Sequence, residues 1–548
     1  MPRHNSRGIG RVSYLLISVY ALLIVVALVS LKVGAFSGSS NTIPTTTLPP
    51  TMMGADGVQS RAILDENALP GTTSWRISAN TSTTAIQGFA NATNVQVGQN
   101  LDLYVDTKLP SYYVEAFRMG WYQGKGARLI YTTQRQRGIA QPACPVDGYH
   151  MVSCYNWKIS AVMLVSPKFI PGDYLLKLVG SDGSSSYIPV TVWDPTSSST
   201  YVVVNRSMIE QGWNTYGGFS FYQGTGPCII DNSSYPVCNR ARVVSFDRPY
   251  DTGNGSSDFL TNEYPLVALM EKEGLDVSYI TDITLSSYPH VLDHHKVLIS
   301  LDHDEGWTYE ERLALQTAQA HGLNAVFFGA AAMVRHDRLE PSILGLNRQV
   351  VDFRNAYEDP LNGKAPGMQI TGNTWESPPA SWSPLSQIGV QYSGYLAPNI
   401  FVPMIVSDAK SWVYQGTGLV NGSSLVNVIA SDFDHVIPSP SEPPNLQVLS
   451  HSPVPVNEGT ASGQVWNGNS YSDMVYFTNP VSHAGTIDTG NNVWVGDLNR
   501  CTTATYPTCP APQLITITNN ILRLFGKGPA GLIEPSVSNL ASIAPAGS

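Results

Sequence analysis

VLISLDHDEGWTYEERLALQTAQAHGLNAVFFG, residues 297–329, decides how this chain is read. Residues 297–301 are an almost wholly apolar run, the pattern of a strand buried on both faces. Thr308 and Glu311 then stand in the T-x-x-E spacing of a capping box, so a helix is predicted over 309–321, with Gly322 as its stop. A second apolar run at 325–328 completes a strand–helix–strand unit. Such units return their second strand parallel to the first. Between the first strand and the helix lies the densest group of titratable residues in the chain, Asp302-His303-Asp304-Glu305.

The same grammar extends outward. Further strands are predicted at 201–204, 277–280, 426–429 and 474–477, and helices at 259–273 and 513–525. This alternation predicts an α/β doubly wound, mostly parallel sheet over 196–530. The Pro- and Gly-rich stretch 340–420 reads as an insertion over that sheet. Upstream, 94–107 (with Gly98 as a turn), 113–122, 173–179 and 186–193 alternate apolar and polar residues between turn signals. They predict an antiparallel, Ig-like β-sandwich over 66–195.

The ends and the composition set the context. Arg3, Arg7 and Arg11 precede an apolar stretch at 14–31, long enough for a bilayer-spanning helix. The expectation is a basic cytoplasmic tail (1–12), a transmembrane signal anchor (13–35), a Ser/Thr/Pro-rich linker (36–65) and a flexible tail (531–548). The protein is then single-pass in the cell membrane, with its C-terminal domains outside. Val33-Gly34-Ala35 keeps a cleaved signal peptide as the alternative. Six cysteines allow fifteen pairings; the simplest joins Cys144 to Cys154, Cys228 to Cys238 and Cys501 to Cys509. At 548 residues and 43% hydrophobic the chain suits two or three domains, and a net charge of -10 without a basic stripe excludes nucleic acid as a partner.

Open parallel sheets bind ligands beyond the carboxyl ends of their strands. The residues expected there are Asn205 with 212–218, Asp302–Glu305, Gly329–Ala332 and Ala430–Asp434. Glu305 and His303, two apart, share a side of an extended segment. That sets a hard oxygen ligand beside an acid/base imidazole. The plainer alternative is a solvated acidic loop that assists the helix start. G-x-S-x-G, G-x-x-x-x-G-K-[ST] and H-E-x-x-H are all absent, which excludes the nucleophile elbow, the phosphate cradle and the helix-borne zinc pair.

An ordered series of motifs runs through the chain: YVEAFRMGWYQGKGARLI (113–130), NTYGGFSFY (214–222), SFDRPY (245–250), HKVLISLDHDEGW (295–307), NAVFFG (324–329) and QVVDFR (349–354). Over roughly 85–525 the chain resembles the C-terminal region of the N,N-dimethylformamidase large (beta) subunit-like family. The resemblance implies a β-sandwich followed by a class I glutamine amidotransferase-like domain of the trehalose-utilisation kind. It also implies hydrolysis of a small amide at one non-haem iron, held by two tyrosines and a glutamate. Carried over, Glu305 and Tyr250 are metal ligands and His303 and Asp432 the catalytic proton-handling pair. Trp213 stands where the second tyrosine is expected, with Tyr216 nearby on the same loop. Gly306 replaces an aromatic, and Ala331 an asparagine. Two functions stay open. One is a metal-dependent hydrolase of a non-peptide C–N bond, with iron as Fe(III), zinc as second choice and no organic cofactor. The other is a non-catalytic surface relative that binds a small amide or a glycan.

Overall fold

The computed structural model describes residues 58–78, 84–226, 236–397, 400–455, 469–500 and 511–543. Its largest sheet has seven strands: β1 (Tyr201–Asn205), β2 (Val277–Thr281), β3 (Val297–His303), β4 (Asn324–Ala330), β5 (Gln447–Pro455), β6 (Asn469–Thr478) and β7 (Gly485–Asp488), in the spatial order β2-β1-β3-β4-β7-β6-β5. The first five in that order run parallel, with Tyr201 opposite Val297 and Val297 opposite Asn324; β6 and β5 run antiparallel. Alternate residues of the buried strands enter opposite apolar layers. Val203, Ile299 and Phe328 pack with Leu266, Ile517 and Ile521, from α1 (Tyr264–Lys272) and the C-terminal helix. Val202, Leu298 and Phe327 pack with Leu315 of α2 (Tyr309–Ala320). The capping box of α2 forms as expected, with Thr308 and Glu311 satisfying each other's backbone N–H groups. The C-terminal helix, α3, spans Ala511–Phe525.

The expected fold class needs correction. Among the described residues the strands spread over seven sheets, several antiparallel, and the main sheet is mixed. It is therefore not the doubly wound, amidotransferase-type α/β sheet. The reason lies in the connections. After β4 the chain runs through antiparallel ribbons, Arg338–Ser342 with Gly345–Val351, Gln391–Tyr395 with Asp432–His435, and Val402–Ile405 with Ser424–Ile429. Short ribbons of this kind replace the crossover helices that parallel strands need. The predicted strand at 426–429 belongs to the last ribbon and not to the main sheet.

Upstream, Ile86–Ala90, Asn100–Thr107 and Ala161–Leu164 form a three-stranded sheet. Ser111–Met119, Ala127–Thr132, Gly172–Gly180 and Ser185–Val192 belong to a six-stranded one. Inward residues of both, Leu103, Val105, Val114, Leu176 and Val190 among them, share one core. A disulfide joins Cys144 to Cys154. Cys238 is also disulfide-bonded, while Cys228, Cys501 and Cys509 lie outside the described residues.

The membrane expectation is corrected as well. No helix among the described residues is long and apolar enough to cross a membrane. The longest, α3, has 15 residues, and at 1.5 Å per residue spans about 22 Å of a roughly 30 Å hydrocarbon core. The stretch 13–35, on which the anchor rested, lies outside the described residues.

Candidate functional site

The end of β3 builds the site. Strand pairing brings Asp302 opposite Gly329 of β4, where a Cβ would overlap the Asp302 carbonyl oxygen, so glycine permits the close approach. Asp302 itself has a positive φ of 50° and spends its carboxylate on structure, taking Nδ2 of Asn262 at 2.8 Å and Nη2 of Arg206 at 3.3 Å. Asp304 is likewise committed, accepting from Ser300 Oγ. The kinked backbone leaves His303 and Glu305 facing the strand Asp432–His435.

There the sequence-predicted residues meet. His303, Glu305 and Asp432 each offer a ligand atom, and these lie within 4.8 Å of one another. His303 Nδ1 is 3.0 Å from Asp432 Oδ2 and 3.7 Å from Glu305 Oε1. Burial opposes charge on His303, but Asp302, Asp432 and Glu305 outweigh it and hold the imidazole pKa well above its usual value. Burial would also raise Glu305. Its hydrogen bond and charge contact with His303, helped by Arg335 and Tyr222, instead bring it down to about 2. Two carboxylates and an imidazole are hard and borderline donors, a chemistry that fits a divalent or trivalent cation.

Three further residues complete the cluster, and the motifs assign a role to none of them. The Tyr222 hydroxyl donates to Glu305 Oε2. Its ring lies between the Trp213 indole, stacked at 3.5 Å, and the Arg354 guanidinium, 4.3 Å from the ring centre. The Tyr392 phenol lies close enough to Asp432 for the carboxylate charge to act on it. Asn492, just beyond β7, places Nδ2 2.8 Å from Asp432 Oδ2 and 2.7 Å from His303 Nδ1. Burial, then the neighbouring carboxylates, raise both phenols above the usual tyrosine value. Tyr222 ends the quoted motif NTYGGFSFY, so a signal was present; Tyr392 and Asn492 sit in unremarkable local sequence.

Tyr250 is placed elsewhere. Its phenol lies near Gln211, Glu210, Asp282 and Glu263, and it lines a cavity of about 40 Å³ with Asp173, Arg206 and Glu263. Tyr216 packs near Phe89, Tyr104 and Trp157. Trp213 reaches the cluster, its ring centre 6.0 Å from that of His303, but an indole offers no anionic donor. Gly306 has a local cause: a Cβ there would overlap Asp337 Oδ2, so a buried carboxyl fills the space beside Glu305. The Ala331 N–H, at a positive φ of 61°, donates to both Asp434 oxygens at 2.9 Å.

Comparison with curated proteins finds no match. A family model described as N,N-dimethylformamidase beta subunit-like, C-terminal, matches residues 113–508, which takes in most of the six-stranded sheet, β1 to β7 and every residue of the cluster. The chain belongs to the N,N-dimethylformamidase beta subunit-like family.

Proposed function

We propose that this protein is a metal-dependent hydrolase of a non-peptide amide C–N bond. The convergence of His303, Glu305 and Asp432 within 4.8 Å, in a chain of this family, carries the reading. Glu305 and Asp432 would hold the cation with His303 beside them. Iron is the first choice, because carboxylate oxygens are hard donors; zinc is the second. A cation bound there supplies Lewis acidity toward the amide carbonyl or an attacking water. Tyr222, fixed by its stack on Trp213, orients the Glu305 carboxylate. Asp432 Oδ2, 3.0 Å from His303 Nδ1, orients the imidazole, which once deprotonated is placed to accept a proton from water and return it to the departing amine nitrogen.

Metal analysis of the purified chain tests this, with Glu305→Ala as control and amine release from a panel of formamides and small amides as the activity. About one metal per chain, lost in the variant together with activity, supports it. A folded chain that takes up no metal on reconstitution and releases no amine refutes it.

One observation favours the second reading, a non-catalytic ligand- or glycan-binding relative. The Trp213 side chain is 39% exposed at the cluster, a flat apolar face of the kind that sugar rings stack on. A glycan array with Trp213→Ala as control distinguishes it.

A further inference from the structure

We propose that Asn492 is the positioning residue of the cluster, the one side chain that sets the geometry of both Asp432 and His303. The inference rests on the hydrolase reading above. Asn492 is 2% exposed, so its polar atoms must find partners inside the protein. The backbone decides which way its amide faces. Oδ1 accepts the Ala330 N–H at 2.9 Å, and a main-chain N–H can only donate. Nδ2 must therefore point into the cluster.

There it lies 2.8 Å from Asp432 Oδ2, and 2.7 and 2.8 Å from the two ring nitrogens of His303. An amide nitrogen carries two protons. One goes to the Asp432 carboxylate, and the amide group otherwise packs against the His303 ring and fixes its position. The Asn492 N–H also donates to the Asp432 carbonyl at 3.3 Å, tying the two segments together. Ala330 ends β4, so Asn492 references both functional side chains to the rigid sheet. Partners that orient metal-binding side chains in this way typically carry about 10–100-fold in metal affinity.

The test titrates Co²⁺ into the metal-free full chain against a competing chelator, for wild type and Asn492→Ala. The expected result is one Co²⁺ per chain in both, with affinity about 10–100-fold weaker in the variant and an altered visible spectrum. Equal affinity and an unchanged spectrum overturn the proposal. Asn492→Asp separates positioning from a structural role and serves if the alanine variant does not fold. Aspartate keeps the acceptor for Ala330 but cannot donate to Asp432, and it sets a like charge against it. The metal-free Asn492→Asp chain should unfold at lower denaturant than wild type and gain more stability from Co²⁺. An unchanged midpoint and an unchanged gain overturn the proposal. Failure of wild type to bind Co²⁺ counts against the hydrolase reading, while the metal-free comparison still decides whether Asn492 donates into the cluster.

Discussion

Gly306 and Asp337 make the most direct test of how the site is packed. A Cβ at position 306 would overlap Asp337 Oδ2 and lie 3.0 Å from its Cγ. Asp337 is 2% exposed and its N–H is held by the Trp307 carbonyl at 3.0 Å, so its carboxyl cannot swing into water without moving backbone. Gly306→Ala should therefore destabilise the protein by about 1–3 kcal/mol, the usual cost of forcing atoms into a filled interior. Asp337→Ala vacates the space. Burial, with the Asp352 charge beside it, raises the Asp337 pKa well above the carboxylate range, and Oδ1 is buried without a partner, so this truncation forfeits little bonding. In the Asp337→Ala background the added methyl occupies the vacated volume, and Gly306→Ala should cost at least about 1 kcal/mol less, a coupling within the range for residues in contact. Urea unfolding of the four proteins measures the cycle. If Gly306→Ala costs the same in both backgrounds, Asp337 does not fill the space beside Glu305, and the account of why glycine stands there fails.

Other expectations follow from the same geometry. Tyr222→Phe deletes the hydroxyl on Glu305 and should cost about 1.5–3 kcal/mol, the worth of a buried hydrogen bond to a charge; an unchanged urea midpoint would show that the two do not bond. Burial pushes Asp173 up to about 7, against about 3.9 unfolded. The folded state then holds a proton that the unfolded chain releases, so stability should fall as pH rises from about 4 to 7, by up to about 1.4 kcal/mol per pH unit from this group. Asp173→Asn cannot lose that proton, so its stability curve should draw away above wild type across the same interval; parallel curves in denaturation from pH 4 to 8 would contradict the assignment.

The parts of this structure that were legible in the sequence are those set by local rules. The α2 helix is announced by its capping box, and β3 and β4 by apolar runs too short for helices and too continuous for half-exposed strands. The Glu305–His303 pair is local too, since an extended segment two residues long aligns both side chains. The strand at 426–429 misled because an apolar run does not say which sheet it joins; Asn427, at a positive φ of 60°, and the half-exposed face of Ser424–Ile429 suit a ribbon at the surface. Partner choice is likewise why Tyr222, Tyr392 and Asn492 escaped notice. Tyr222 and Glu305 are 83 residues apart, and Asn492 and His303 189 apart. Only the assembled sheet makes them neighbours.

The mixed sheet then explains why the cluster is tight. β7 runs parallel to β4, which in turn runs parallel to β3, so Asn492 leaves the sheet at the edge where His303 and Glu305 emerge. The strand Asp432–His435 docks on that exit through main-chain contacts: Phe433 bridges Asn491, and the Asp434 N–H donates to the Gly490 carbonyl at 3.0 Å. Backbone pairing, rather than side-chain adjustment, thus holds the Asp432 carboxylate against His303 and beside Glu305. Two anionic groups fixed this close repel each other in a buried site, and positive charge must offset them. In the metal-free protein the imidazolium of His303 supplies it. That arrangement gives a cation a place already built for it, and it makes proton release from His303 the expected companion of metal binding. Calorimetric titration in buffers of different ionisation enthalpy would register that release; metal uptake without it would mean that His303 is not the charge that balances the two carboxylates.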